Sequence, residues 1–348
     1  MNKNKITQCL TALSENLEKE ESLDLANVEH KEGKLLNPRC DPTFKTLFTH
    51  NSEESNHALK CFLSAVLDRK VEEVTLQPTE LSKESSTDKD SIFDVSCRFI
   101  DSKEYFDVEM QGRNNYDSYD KRAEYYAAHL LNHYTREGMN WKNVPKVYQV
   151  SVLNFNLSRS NEDIVDWYLM RNQSNDTLAE RLNIIFVYLK KLFRKNEDIE
   201  KLDLKSLTSV EKWCIFFLCA DNKEYRSLID ELARNEEGIM EAQKVLSQIS
   251  DDELNWRRQT AYYDRLSHEA TIRGEADEKG YQRGYESGKK EGYNVGYDSG
   301  IEKGARENAI KNALNMLKEG DSPEKVARCT GLSLEEVQKL VSEIEVNA

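Results

Sequence analysis

Two short alternating runs, SIFDVSCRF (91–99) and EYFDVEMQ (104–111), carry the residues best suited to chemistry: Asp94, Glu109 and Gln111. In the first run Phe93, Val95, Cys97 and Phe99 share one side, and Asp94, Ser96 and Arg98 the other. In the second, Phe106, Val108 and Met110 oppose Tyr105, Asp107, Glu109 and Gln111. Period two predicts half-buried strands, and the polar link Asp101-Ser102-Lys103 suits an antiparallel hairpin. A turn at Ser102-Lys103 sets Asp94 opposite Gln111, whereas a turn at Asp101-Ser102 sets it opposite Glu109. In both registers Asp94 and Glu109 share a face at cross-strand distance. A slip by one residue would bury the Asp94 charge beside Met110. Two carboxylates this close call for a cation or a shared proton. Oxygen donors suit Mg2+ or Mn2+ rather than zinc. The plainer alternative is a solvated strand face.

Several elements must hold this hairpin. Residues 1–37 are polar and read as a peripheral extension, partly helical or mobile. Asp41-Pro42 starts a helix, with Asp41 as its cap and Pro42 at the first helical position. Phe44, Leu47 and Phe48 form its apolar stripe. A second helix follows through Leu59, Phe62, Leu63 and Val66, and Val71 to Leu76 reads as a first strand. After the hairpin come a helix from about Tyr119 to Thr135, a strand at Val147 to Phe155 and another at Asn183 to Leu189. The region 196–273 is helical and charge-rich, with Trp213, Phe216, Phe217 and Leu218 as its core.

The spacing Asp94-(fourteen residues)-Glu109-x-Gln111 resembles the Asp…Glu-x-Lys motif of PD-(D/E)XK nucleases, with Gln in the third place. DPTFKTLF (41–48), CFLSAVL (61–67), LQPTEL, DKDSIFDV, YFDVEMQ and KRAEYYAAHLL (121–131) follow one another in an order similar to the recombination-promoting nuclease and transposase-like family of that superfamily. The resemblance covers about 150 residues, a usual domain size. It implies an α/β fold: a restriction-endonuclease-like αβββαβ core with a mixed sheet at 38–195. It also implies a Mg2+- or Mn2+-dependent DNA endonuclease that promotes recombination. Gln in the third position is usual in that family. On this reading Asp94, Glu109 and the Met110 carbonyl hold the metal, and Gln111 orients the attacking water. Gln111 cannot act as a base, because an amide does not titrate.

Further candidates carry plainer alternatives. Glu80 is a further acidic ligand or an ordinary loop residue. Lys45, one turn beyond Asp41, is a phosphate contact or a surface lysine. Arg122 and Tyr126 match the family's Arg…Tyr pair and share a helix face. Arg122 is a phosphate clamp or an ion-pair partner of Asp117, Asp120 or Glu124. His129 and His133 form an i,i+4 pair without a third ligand, so a helix face explains them.

The chain of 348 residues has 32% charged residues and a net charge of −14, so any DNA surface must be locally basic. Seven scattered cysteines show no zinc spacing, which predicts reduced thiols in a cytoplasmic protein. No apolar run is long enough for a membrane span. Gly280, Gly284, Gly288, Gly292, Gly296, Gly300 and Gly304 recur every fourth residue, each but three followed by tyrosine. This segment (274–305) is a flexible linker or a helical stalk whose small ridge pairs with a second copy; the strict period favours the homo-oligomer. Residues 306–348 predict a small helix-turn-helix-like unit. Its last helix carries Glu335, Glu336, Glu343 and Glu345, which favours a protein contact over a DNA groove. The rival to a nuclease is a catalytically inactive nuclease-fold module that binds DNA or a protein.

Overall fold

The structure, a computed structural model, describes residues 3–19, 33–80, 93–100, 102–112, 118–157, 162–192 and 204–346. Along the chain run α1 (Lys3–Lys19), α2 (Asp41–Thr49), α3 (Glu53–Val66), β1 (Val74–Leu76), β2 (Val95–Phe99), β3 (Glu104–Gln111), α4 (Tyr119–Tyr134), β4 (Lys146–Leu153), β5 (Val165–Leu169) and β6 (Leu182–Tyr188). There follow α5 (Ser209–Cys219), α6 (Arg226–Asn235), α7 (Glu237–Ser250), α8 (Glu253–Lys318), α9 (Pro323–Thr330) and α10 (Leu334–Val346). The fold is α/β, as expected.

Six strands form one mixed sheet in the order β1-β2-β3-β4-β6-β5. β3, β4 and β6 are mutually parallel, while β1–β2, β2–β3 and β5–β6 are antiparallel. The parallel step from β3 to β4 needs a crossover, and α4 supplies it. β5 is a strand that the hydrophobic pattern did not mark. It lies at the sheet edge, where the neighbouring Trp167 and Tyr168, on opposite faces, are both exposed, so neither face shows an unbroken buried side to read.

Alternate residues of the central strands go to opposite layers. Val95, Cys97, Phe106, Val108, Met110, Val150 and Val152 join a core with Phe44, Phe48, Phe62, Trp213 and Phe217. Phe62 and Trp213 meet edge to face at 5.4 Å. Leu10 and Leu13 of α1 are buried in that same core, as are residues of α5, α6 and α7. The other face carries α4, whose Tyr119, Ala123 and Ala127 cover Leu153, Ile184 and Phe186. The hairpin's polar face is therefore buried under a helix, not half-exposed: Ser96, Asp107 and Glu109 are all at most 1% accessible.

The chain divides into two compact units, 1–266 and 267–348. In the second unit the glycine repeat lies wholly within α8, and nothing stands within 4 Å of a side chain placed on any of its seven glycines. Ala313, Val326 and Val337 form a small core there, with Met316, Leu317 and Leu340 against it. Ser333 and Glu336 make a capping box, since each side chain accepts the other residue's backbone N–H, at 3.3 and 2.9 Å. Among the described residues no helix is long and apolar enough to cross a membrane.

Candidate active site

The β2–β3 ladder pairs Val95 with Val108 and Ser96 with Asp107. One step further sets Asp94 opposite Glu109, the second of the two registers the sequence allows. Asp94 itself lies in a bend just before β2. The bend breaks the alternation there, so Phe93 swings to the α4 side and meets Tyr126 edge to face at 5.6 Å. Phe93 thus does not share the face of Val95, contrary to the period-two expectation.

Side chains take over where the backbone ladder stops. The Asp94 N–H donates to Glu109 Oε1 at 3.2 Å, and the Met110 N–H donates to Asp94 Oδ2 at 3.1 Å. Gln111 Nε2 donates to Glu109 Oε2 at 3.2 Å, and Arg122 Nη2 stands 3.7 Å from the same oxygen. Arg122 lies 4.9 Å from the Tyr126 ring centre and 5.8 Å from that of Tyr119. Burial works against its charge, but the Glu109 carboxylate outweighs that and keeps the guanidinium protonated. Burial likewise raises the Tyr126 phenol, with Arg122 opposing.

The carboxylates here strongly favour their neutral forms. Burial, then Glu109 and Asp41, push Asp94 well above the usual range, against the Met110 N–H and Lys45. Burial and then Asp107 push Glu109 up, against Arg122 and the Asp94 N–H. Asp107 is raised by burial and by Asp94. One of its oxygens accepts from Gln149 Nε2 at 3.3 Å, while Oδ1 has no hydrogen-bond partner among the described residues. Behind Gln149 the chain of bonds continues through Ser151 Oγ (2.9 Å) to the Tyr119 hydroxyl (3.0 Å).

Asp41 joins this group from α2. The helix cap is Cys40, and Asp41 is the first helical residue, so it is not the cap the sequence suggested. Its Oδ1 instead accepts from the Tyr262 hydroxyl at 3.1 Å. Burial pushes its pKa up to about 6, opposed by Tyr262, Arg265 and Arg122. Of the sequence candidates, Asp94, Glu109, Gln111, Met110, Arg122, Tyr126 and Lys45 converge here. Glu80 is exposed, and among the described residues no three acidic, histidine or cysteine side chains gather into a metal-holding group, so Glu80 does not complete one. The same holds for His129 and His133. Asp117, offered as an alternative partner for Arg122, lies outside the described residues. Asp107 and Gln149 were not singled out from sequence, because a buried strand's polar residues look like those of an exposed one. Tyr262 had no signal at all, being 221 positions from Asp41.

The donor set fits a hard divalent cation. Two carboxylates whose neutral forms are favoured by burial and by neighbouring acids, even with Arg122 3.7 Å from Glu109, are relieved by a bound cation. The available donors are oxygens, as Mg2+ and Mn2+ prefer, and such ions keep several waters rather than a full protein cage.

No curated protein and no solved structure matches the chain. The family model described as PD-(D/E)XK nuclease family transposase matches residues 38–270. That span takes in the hairpin with Asp94 and Glu109, the covering helix α4, Asp41 and Tyr262, and the chain belongs to this family of nucleases.

Proposed function

We propose that the protein is a Mg2+- or Mn2+-dependent endonuclease that hydrolyses DNA phosphodiesters and thereby promotes recombination. The observation that carries this reading is the reciprocal clamp of Asp94 and Glu109 across the open end of the hairpin. Asp94, Glu109 and the Met110 carbonyl would hold the ion. When bound, it supplies a water of lowered pKa and positive charge against the scissile phosphate.

The chain's own groups do the rest. Gln111, already bonded to Glu109, orients the attacking water with its amide. Arg122, held against Tyr126 and Glu109, offers a planar donor fork to a phosphate oxygen. Lys45 brings an ammonium into the electrostatic reach of Asp94, in the absence of the lysine that Gln111 replaces. Loss of Glu109's charge would free Arg122, so the two act as a unit. DNA is the partner, and the scattered cysteines fit a cytoplasmic location. The glycine repeat of α8 would pair with a second copy of the chain.

Plasmid cleavage in Mg2+ or Mn2+, with EDTA, Asp94→Ala and Glu109→Ala alongside, tests the reading. Nicking lost in all three controls supports it. A folded protein that cleaves in neither metal favours the rival, a DNA- or protein-binding module on a nuclease fold. That rival draws on the untitratable Gln111 and on the net charge of −14.

A further inference from the structure

We propose that Tyr262, on the opening turns of α8, is a positioning residue of the active site that holds Asp41 toward the Asp94–Glu109 pair. This rests on the nuclease reading above. The segment leading into α2 is fastened to α8 at several points. The Asn37 N–H and the Thr43 hydroxyl both donate to Gln259 Oε1, at 2.8 and 3.2 Å. Cys40 is buried against Tyr262, Tyr263 and Leu266. The Tyr262 hydroxyl then reaches past this apolar contact to Asp41 Oδ1 at 3.1 Å.

The opposite side of the segment is fixed by β3. Gly112 follows Gln111 directly, and a side chain there would come within 2.8 Å of the Arg39 carbonyl and 3.8 Å of the Tyr262 hydroxyl. Residues 39–41 are thus held between the end of the motif strand and α8. α2, which begins at Asp41, packs against β2 and β3, so this hold sets Asp41 at the end of the motif strand. The Tyr262 ring alone would satisfy the apolar cluster. Its hydroxyl is a separate feature, aimed at Asp41, the one carboxylate of α2. Arg265, one turn on, has its guanidinium 5.4 Å from the Tyr262 ring and also acts on Asp41.

Tyr262→Phe removes the hydroxyl and keeps the ring, while Asp41→Ala removes the same bond from the other side. In the full-length protein with Mn2+ and plasmid DNA, Tyr262→Phe should lower kcat about ten- to a hundredfold, the range for losing a hydrogen bond that supports a metal site from outside its ligands. The KM for DNA and the melting temperature should stay near wild type. The double variant should be no slower than Asp41→Ala alone. A wild-type rate in Tyr262→Phe, or losses that multiply in the double variant, would overturn the proposal. If the wild type cleaves nothing, the nuclease reading fails and amide hydrogen exchange decides the positioning role. Faster exchange at Phe44 to Leu47 in both single variants then supports the hold on Asp41, and unchanged exchange overturns it.

Discussion

Asp94 and Glu109 each accept a backbone N–H from the other's strand, Met110 donating to Asp94 at 3.1 Å and Asp94 donating to Glu109 at 3.2 Å. Each carboxylate therefore continues the ladder beyond its last backbone pair, which fixes both side chains without a cation. Their mutual repulsion is the cost of that arrangement. Asp94→Asn and Glu109→Gln keep an acceptor oxygen and remove a charge. Asp94→Asn should melt above the wild type in EDTA, and Glu109→Gln, which also takes the carboxylate from beside Arg122, should gain less. Wild-type protein should gain melting temperature with Mn2+ by mass action, and both variants should lose that gain. A full Mn2+ shift in either variant would remove that residue from the ligand set.

The pH dependence of stability has a definite sign. Asp41 is raised from 3.8 to about 6 by burial, so between those values the folded state binds more protons than the unfolded one. Stability from this group is complete below about 4 and is lost as pH rises through about 6. Asp94, Asp107 and Glu109 are also raised and extend the loss upward. In EDTA, the stability of wild type relative to Asp41→Asn should therefore fall between pH 4 and 6. Urea titrations across that range check it, and a difference that stays flat or rises would contradict the assignment.

The hairpin could be read from the sequence because its apolar residues alternate without a break from Val95 to Phe99 and from Phe106 to Met110. Its register was open between two turns, since both put Asp94 and Glu109 on one face. The burial of that face was not legible. Asp107, Gln149 and Ser151 are typical of a solvated surface, and only α4 laid across them makes them interior. Nor was the bend at Asp94, because nothing in SIFDV marks a break in period. Long-range fastening was least visible: Gln259 and Tyr262 act on residues more than two hundred positions away.

Asp107 is buried, with one oxygen bonded to Gln149 and the other without a partner among the described residues. A buried carboxylate left half-satisfied is destabilising when charged. Asp107→Asn keeps the shape and the acceptor facing Gln149. It should raise the melting temperature in EDTA by a few degrees, the change expected for about 1 kcal/mol. It should also retain the Mn2+ shift that Asp94→Asn loses. Loss of that shift would make Asp107 a ligand instead.

Gly238 marks a close approach of α7 to α3. A side chain there would lie 2.2 Å from Cys61 Cβ and 3.2 Å from Trp213 Cζ2. Backbone must move to admit even a methyl group, so Gly238→Ala should cost roughly 1–3 kcal/mol or more. Equilibrium urea unfolding measures this. A neutral result would mean that the two helices separate at little cost.

The glycines of α8 pose the opposite case, since nothing stands near them. In an isolated helix each costs about 1 kcal/mol relative to alanine. Seven in register oppose a helix unless a neighbour benefits from the bare backbone. Tyr281, Tyr285, Tyr293 and Tyr297 are exposed beside them, stacked in pairs at 6.5 and 6.2 Å. Four residues advance an α-helix about 40° beyond a full turn, so the glycine ridge drifts around it and a partner following it winds right-handed. If two copies pair there, Gly284→Leu with Gly292→Leu should convert the oligomer to monomer in light scattering and leave metal-dependent stabilisation of the first unit intact. If α8 acts alone, the wild type is already a monomer, and alanine at the same two positions raises helix content. A wild-type monomer at all accessible concentrations would remove the second copy from the proposal.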